Sequence, residues 1–237
     1  MIQTEGIFVG GSAISAPIIG EDFNWSGGDG TYQVLDDGGG NWRIKFLSSG
    51  TFTPLKNMVI DVFLVGGGGG AGSSYCGAGG AGYTTTVRSV VLTANTAYSI
   101  VVGAAGTNGN PSSAGGETTA FTASAAGGKN TSNGTSSSKR PGGAGGSGGA
   151  GYVSPVATTT GGTDGGDGTS SATTGGKGQG TTTREFGEAD GTLYASGGGS
   201  NLTATVSNSG NGGRNGITSI APADGIVVIR QHKEVAA

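Results

Sequence analysis

Glycine recurs at every third position in several stretches of the chain, and this spacing constrains the fold more than any other feature. Residues 142–151 read Gly-Gly-Ala-Gly-Gly-Ser-Gly-Gly-Ala-Gly, and residues 103–109 and 210–216 keep the same period. Glycine costs about 1 kcal/mol in a helix interior, which argues against α-helix. A period of three instead fits a polyglycine II helix, in which the glycine row faces neighbouring backbones that leave no room for a Cβ.

The composition requires a source of order other than a large apolar core. The chain has 237 residues, of which 55 are glycine, 33% are hydrophobic and 11% are charged. In a bundle of polyglycine II helices the buried amides bond between helices, because this conformation has no internal hydrogen bonds. Short glycine blocks separated by Asn, Asp, Ser and Thr favour such a bundle over a flexible linker, which is the other interpretation of this composition.

Strand patterns gather toward the two ends of the chain. Residues 42–46 alternate apolar and charged side chains, as a half-buried strand does, and residues 58–65 are an apolar run typical of a buried strand. Residues 84–92 and 98–102 predict a hairpin, and residues 225–230 predict a final strand. We therefore predict an all-β fold in which a small, sandwich-like antiparallel β module adjoins a polyglycine II helix bundle, with essentially no α-helix.

These patterns divide the chain into four parts. We expect residues 1–30 to be a docking or assembly segment, because their apolar side chains would be sticky if exposed. The β module comprises residues 31–102 together with residues 217–230. The glycine-rich bundle with its variable loops spans residues 103–216, and residues 231–237 form a polar tail.

Charge and hydropathy argue against two classes of partner. The net charge is -3 and no basic cluster offers a phosphate-binding surface, so we expect no nucleic acid. No apolar run approaches the roughly 20 residues of a membrane helix, so we expect no membrane insertion. The start of the chain lacks the basic and apolar regions of a signal peptide, which predicts synthesis in the cytosol.

The sequence offers no convincing cofactor, metal or nucleophile site. Residues 67–72 match the dinucleotide fingerprint G-x-G-x-x-G, but no helix follows to bind a pyrophosphate. His232 lies in the polar tail and Cys76 lies in a glycine loop without an assured base, so neither predicts nucleophilic catalysis. Asp164 and Asp167 supply too few oxygen ligands for calcium. We therefore expect no cofactor and no bound metal.

One acidic group could support hydrolysis. Glu185, Glu188 and Asp190 are the densest carboxylates of the glycine-rich half, and glycoside cleavage needs two carboxylates about 5–10 Å apart. Arg184 lies beside them and favours an ordinary ion pair in a turn. We expect no enzymatic activity, with a surface-polymer hydrolase as the minor alternative.

The order of several blocks resembles the glycine-rich domain of phage and prophage tail proteins. These blocks are residues 61–70, 82–85, 98–103, 178–194 and 225–230. The chain is more distantly similar to the distal tail-fibre adhesins of T-even-like phages, which alternate glycine-rich motifs with hypervariable loops. The resemblance implies attachment to a virion and recognition of a receptor.

On this resemblance we expect a fibre-tip adhesin of a bacteriophage tail that recognises a host cell-surface receptor, either a glycan or an outer-surface protein. Its other partners would be phage tail or fibre proteins, with a homotrimer as one arrangement. The protein would be made in the bacterial cytoplasm and reside in the virion. A structural tail or fibre component without receptor contact is the alternative.

Recognition would occur on the loops that join the glycine blocks, since these can vary without disrupting the scaffold. Their hydroxyls and amides match sugar hydroxyls, a tyrosine ring can stack on a pyranose, and cations can meet acidic groups of a surface polymer. The candidate binding residues are Tyr75, Lys129, Asn130, Asn133, Lys139, Arg140, Tyr152, Asn201 and Asn208.

Overall fold

The computed structural model describes residues 22–38, 40–133, 141–151, 180–199, 205–214 and 219–231. Within these ranges the protein contains β-strands and two short 3-10 turns, Gly180–Thr183 and Glu185–Gly187, and no α-helix. The all-β prediction is confirmed. The strands are β1 Phe23–Trp25, β2 Tyr32–Gly38, β3 Asn41–Phe46, β4 Gly50–Pro54, β5 Met58–Val65, β6 Thr84–Leu92, β7 Tyr98–Val101, β8 Thr118–Ala120, β9 Ala123–Ala125 and β10 Ile226–Gln231.

The strands form two antiparallel sheets of five strands each. Sheet A has the order β1-β4-β7-β8-β9, and sheet B has the order β2-β3-β10-β5-β6. The C-terminal strand β10 therefore occupies the centre of sheet B, where Val228 pairs with Lys45 of β3 and with Phe63 of β5. This placement confirms the prediction that the final apolar strand pairs with the strands near the start of the chain.

The main core lies between the two sheets. Alternate residues of β3, namely Trp42, Ile44 and Phe46, point inward and are buried, while Arg43 and Lys45 point to the other face. Each large apolar side chain removed from water stabilises the fold by roughly 1.5–3 kcal/mol. The rings of the two sheets interlock, as in the edge-on contact between Phe46 and Phe52 of β4, whose centroids are 5.6 Å apart.

The predicted hairpin of residues 84–92 and 98–102 is wrong, although both strands exist. β6 pairs only with β5 in sheet B, whereas β7 lies between β4 and β8 in sheet A. The turn between them is bonded to the end of β4 and to the loop that follows it: the Asn95 amide donates to the Pro54 carbonyl at 2.6 Å, and the Ala94 amide to Asn57 Oδ1 at 2.8 Å. The two strands therefore belong to different sheets.

The glycine segments leave sheet B and sheet A and bond to one another through their backbones. Along residues 66–70 successive amides donate to different neighbours, and every third amide returns to the same neighbour. The acceptors are the carbonyls of Tyr83, Gly116, Ala223, Gly80 and Ser113, in the order of the donors. This three-residue period provides partners for amides that form no ladder of a regular sheet.

Backbone contact between these segments is too close for a side chain. A Cβ added to Gly68 would lie 1.9 Å from the Asn211 carbonyl oxygen, and one added to Gly70 would lie 1.9 Å from that of Thr107. Glycine is therefore required at these buried positions by packing.

The three segments that leave β5, β7 and β9 share a direction, which gives the region a proximal end at the sheets and a distal end away from them. Residues 66–72 follow directly from β5, and residues 103–109 run parallel to them, since Gly106 and Gly109 donate to the carbonyls of Gly68 and Ala71 at 2.8 and 2.9 Å. Residues 126–133 also run parallel, through the bond from the Gly128 amide to the Gly67 carbonyl. Residues 73–76, 108–112 and 129–133 therefore reach the distal end together.

The division of the chain into four parts remains a prediction. Strands β8 and β9 fall inside the range assigned to the bundle, and the glycine segment 66–72 falls inside the range assigned to the β module. Residues 1–21 of the expected docking segment and residues 232–237 of the tail lie outside the described residues.

Candidate functional site

Hydrogen bonds between side chains and backbone hold the loops of the distal end together. Asn133 Oδ1 accepts from the Ser73 amide at 2.6 Å, and its Nδ2 donates to Ser73 Oγ at 3.0 Å. Thr131 Oγ1 donates to the Gly77 carbonyl at 2.6 Å from a buried position. The loop 73–76 is thereby fastened at both ends to the segment 126–133.

Tyr75 projects from this fastened loop. Its side chain is 47% exposed and its backbone has φ +46°, a conformation that turns the chain sharply. Cys76 beside it is half-buried and donates from Sγ to the Gly72 carbonyl at 2.8 Å. Burial raises the pKa of this thiol. The loop therefore presents an aromatic ring on a base that is bonded to its neighbours.

A third loop joins the same surface. Asn130 Nδ2 donates to the Ser112 carbonyl at 2.9 Å and to Ser112 Oγ at 3.0 Å, and Ser112 Oγ donates to the Thr131 carbonyl. Next to it a cleft of about 270 Å³ is lined by Lys129, Asn130, Thr131, Ser132 and residues 141–144. Lys129 and Asn130 are exposed there, so the cleft combines a cation, an amide and a hydroxyl.

The structure thus places Tyr75, Asn130 and Asn133 on loops that hydrogen bonds join at the distal end, while Lys129 lines the adjacent cleft. Asn208 lies elsewhere: its Nδ2 donates to the carbonyls of Leu47 and Gly225, both at 2.9 Å, at the junction with sheet B. The other candidates, Lys139, Arg140, Tyr152 and Asn201, lie outside the described residues.

The sequence reasoning missed the residues that fasten the loops. Ser73, Ser112 and Thr131 resemble any other polar loop residue in the sequence, and their partners are distant in the chain. Asn108 is the clearest example, because its Oδ1 accepts from the Ala71 amide at 2.8 Å while its Nδ2 donates to the Ile220 carbonyl at 2.8 Å. Its place between two glycine blocks was the only available signal.

A separate charged cluster lies on the outer face of sheet B, beneath residues 180–195. Glu185 is 1% exposed, and its oxygens contact Arg43 Nη1 at 2.5 Å, Lys45 Nζ at 3.4 Å and the Tyr194 hydroxyl at 3.3 Å. The charged residues of the alternating strand β3 therefore meet a carboxylate from the glycine-rich half of the chain.

A second buried carboxylate continues the network. Asp61 is fully buried in β5, with its Oδ2 3.1 Å from both Arg230 Nε and Arg88 Nη1. Arg230 also contacts Glu188 Oε1 at 2.8 Å, and its guanidinium lies 4.2 Å from the ring centroid of Phe186. These contacts fasten residues 180–195 to the sheet.

The surroundings raise the pKa values of three of these groups. Hydrogen bonding to Asp37 raises the pKa of Arg43, and Glu185 adds to this against the effect of burial. Burial lowers the pKa of Arg230, but bonding to Glu188 and Asp61 outweighs it and leaves the pKa above its ordinary value. Burial raises the pKa of Tyr194.

The acidic group Glu185, Glu188 and Asp190 borders a cleft of about 260 Å³ on this face. Glu185 and Glu188 are both engaged in ion pairs, while Asp190 is exposed. The expected ion pair with Arg184 is wrong, because Glu185 and Glu188 pair with residues of the sheet and Arg184 Nη1 donates to the Gly191 carbonyl at 2.9 Å. In the part of the chain that the structure describes, no group of three or more His, Cys, Asp or Glu side chains is placed to hold a metal ion.

Comparison with known proteins identifies the family. Residues 47–230 match the family described as a glycine-rich domain. The chain belongs to the glycine-rich domain family. The match begins after β3 and reaches β10, so the family's range includes both the glycine segments and residues 180–195. No curated protein matches the sequence. The described part of the chain also contains no helix with the length and apolar character needed to cross a bilayer.

Proposed function

We propose that the protein is an adhesin of a bacteriophage tail, and that its distal loops recognise a host cell-surface receptor, preferably a glycan. The observation that carries the proposal is the joining of residues 73–76, 108–112 and 129–133 into one surface at the end of the molecule away from the sheets. Tyr75 would stack on a sugar ring, while Lys129 and Asn130 would bind acidic and hydroxyl groups.

The scaffold beneath these loops supports the proposal. We infer that the glycine segments are polyglycine II helices, because their amides find partners with a period of three and a Cβ would collide with neighbouring backbone at the buried glycines. Such a scaffold holds loops through backbone contacts alone, so the loop sequences can change without altering its interior.

The placement in a virion and the association with other tail or fibre proteins, including a homotrimer, are part of the same proposal. They rest on the resemblance of residues 61–70, 178–194 and 225–230 to tail-protein segments. A structural tail component without receptor contact is the alternative, followed by a surface-polymer hydrolase.

Binding of the fluorescently labelled protein to a panel of bacterial strains tests the proposal. We expect strain-selective binding, and we expect the double variant Tyr75→Ala/Lys129→Ala to weaken it by about tenfold or more, equivalent to roughly 1.4 kcal/mol. Lys56→Ala is the matched control, because Lys56 is an exposed lysine in the loop between β4 and β5.

Circular dichroism first establishes that each variant is folded. Selective binding that survives in the double variant would refute the assignment of the distal surface. Absence of selective binding by the folded wild-type protein would favour the structural alternative. Release of reducing sugar from host envelopes would favour the hydrolase.

A further inference from the structure

An apolar patch lies at the end of the two sheets that is farthest from the glycine region and its distal loops. Its strand residues are Val91, which is 71% exposed, and Val59, which is 41% exposed, and Leu55, which is 37% exposed, lies in the loop that leads into β5. Val59 and Val91 are register partners on β5 and β6, so their side chains are adjacent on one face. We call these three residues the proximal patch.

The patch is the part of the outer face of sheet B that no other segment of the described chain covers. Along β5 the residues on the outer face of sheet B are Val59, Asp61, Phe63 and Val65, in alternation with the core residues. Residues 180–195 cover Phe63 and Val65, while Arg88 and Arg230 hold Asp61 in ion pairs. They leave Val59 open, although two adjacent exposed valines favour a cover.

The described chain begins beside this patch. The Asp22 carbonyl accepts from the Leu55 amide at 2.8 Å, and Asp22 Oδ1 lies 2.5 Å from Lys56 Nζ. Asp22 is itself buried, so the chain enters the fold at a fixed point. Residues 14–19 read Ile-Ser-Ala-Pro-Ile-Ile, and their nearer end is only three residues from Asp22. An extended chain covers about 3.4 Å per residue, which brings the isoleucines within reach of Leu55 and Val59.

We propose that residues 14–19 of the same chain pack over the proximal patch and complete the outer face of sheet B. This differs from the expectation drawn from the sequence, in which residues 1–30 dock to another chain. The short connection through Asp22 favours the intramolecular arrangement, because it gives this segment a high local concentration at the patch.

Proteolysis tests the proposal on the full-length protein. Endoproteinase Glu-C cleaves after Glu5 and Glu21, which flank the segment. We expect slow cleavage in the wild type, and cleavage faster by about tenfold in Val91→Asp, because a charge replaces a buried valine contact. Val91 is exposed in the described fold, so the substitution leaves the core intact.

Val206→Asp is the matched control, since it makes the same substitution at another exposed valine, which is 58% exposed and lies away from the patch. We expect it to leave the cleavage rate unchanged. Equal cleavage rates in the wild type and Val91→Asp would overturn the proposal. Protection that disappears on dilution, together with an oligomer in light scattering, would also overturn it and assign the segment to a second copy.

Discussion

At the scale of single residues, the glycine region depends on the missing Cβ of glycine, which lets neighbouring backbones pack in direct contact. Gly106 is buried, and a Cβ there would lie 2.2 Å from the Ser113 carbonyl oxygen, whereas Ala104 in the same segment is exposed. Backbone cannot yield as a flexible side chain does, so added volume strains the packing. The alternation of buried glycine and exposed small residue along one segment therefore has a direct energetic meaning.

We expect Gly106→Ala to lower the free energy of unfolding by about 3 kcal/mol, the upper part of the range for overpacking. Ala104→Ser adds one atom to the same segment on its exposed side and should change the stability by less than about 0.5 kcal/mol. Urea denaturation of both variants measures the difference. Equal stabilities would contradict the close backbone packing.

Cys76 gives the distal loop a dependence on pH. Burial raises the pKa of the folded thiol, so the unfolded thiol ionises first as the pH rises. The associated stability is fully present below the unfolded pKa of about 8.5 and is lost above it. Denaturation across this range should show a stability decline that Cys76→Ser reduces. An unchanged decline would show that the thiol contributes nothing.

At the scale of elements, residues 180–195 act as a fastened cover on sheet B. Glu185 is buried against Arg43 and Lys45, and Tyr194 packs on Phe63 with ring centroids 5.6 Å apart. Removal of one partner of a buried pair leaves the other charges without compensation. The cover should therefore depend on this one carboxylate more than on its exposed neighbours.

We expect Glu185→Ala to destabilise the protein by about 3 kcal/mol and to expose the peptide bond after Arg184 to trypsin. Asp190→Ala is the control, because Asp190 is exposed in the same segment. Limited proteolysis with mass spectrometry identifies the cut. Similar cleavage in the two variants would show that the ion pairs do not fasten the segment.

The elements also show how far sequence reasoning reaches. β5 and β10 were predicted because continuous apolar runs need burial, whereas β8 and β9 are three residues each and carry no such signal. Arg43 and Glu185 are 142 positions apart, so no local pattern could pair them. Asp61 within an apolar strand was the one available indication of a buried partner.

For the candidate site too, the sequence predicts local features but not the distant partners of each residue. Position between glycine blocks predicted the loops that contain Tyr75 and Lys129, because a chain must turn where a packed segment ends. It could not distinguish Asn133, which fastens a distal loop, from Asn208, which bonds to Leu47 and Gly225 near the sheets. An amide has the same appearance in the sequence wherever its hydrogen bonds lead.

At the scale of the whole molecule, the last strand joins segments that lie far apart in the chain. β10 is the central strand of sheet B, and Gly225 just before it donates to the Gly103 carbonyl at 2.8 Å in the glycine region. Removal of a central strand takes away two ladders and part of the core at once.

Truncation after residue 225 should therefore abolish cooperative folding, whereas truncation after residue 231 should leave the thermal transition intact. Calorimetry of the two shortened proteins decides between these outcomes. A cooperative transition in the shorter protein would show that the glycine region and the remaining strands are stable without β10.

The central position of β10 has a consequence for synthesis. β3 and β5 leave the ribosome early, but the strand that joins them follows only after the whole glycine region. Until then both strands have an open edge, and such edges readily accept strands of other molecules. Growing chains on neighbouring ribosomes can pair with each other at these open edges. The yield in expression should therefore depend on translation rate and on chaperones that cover the edges of β3 and β5.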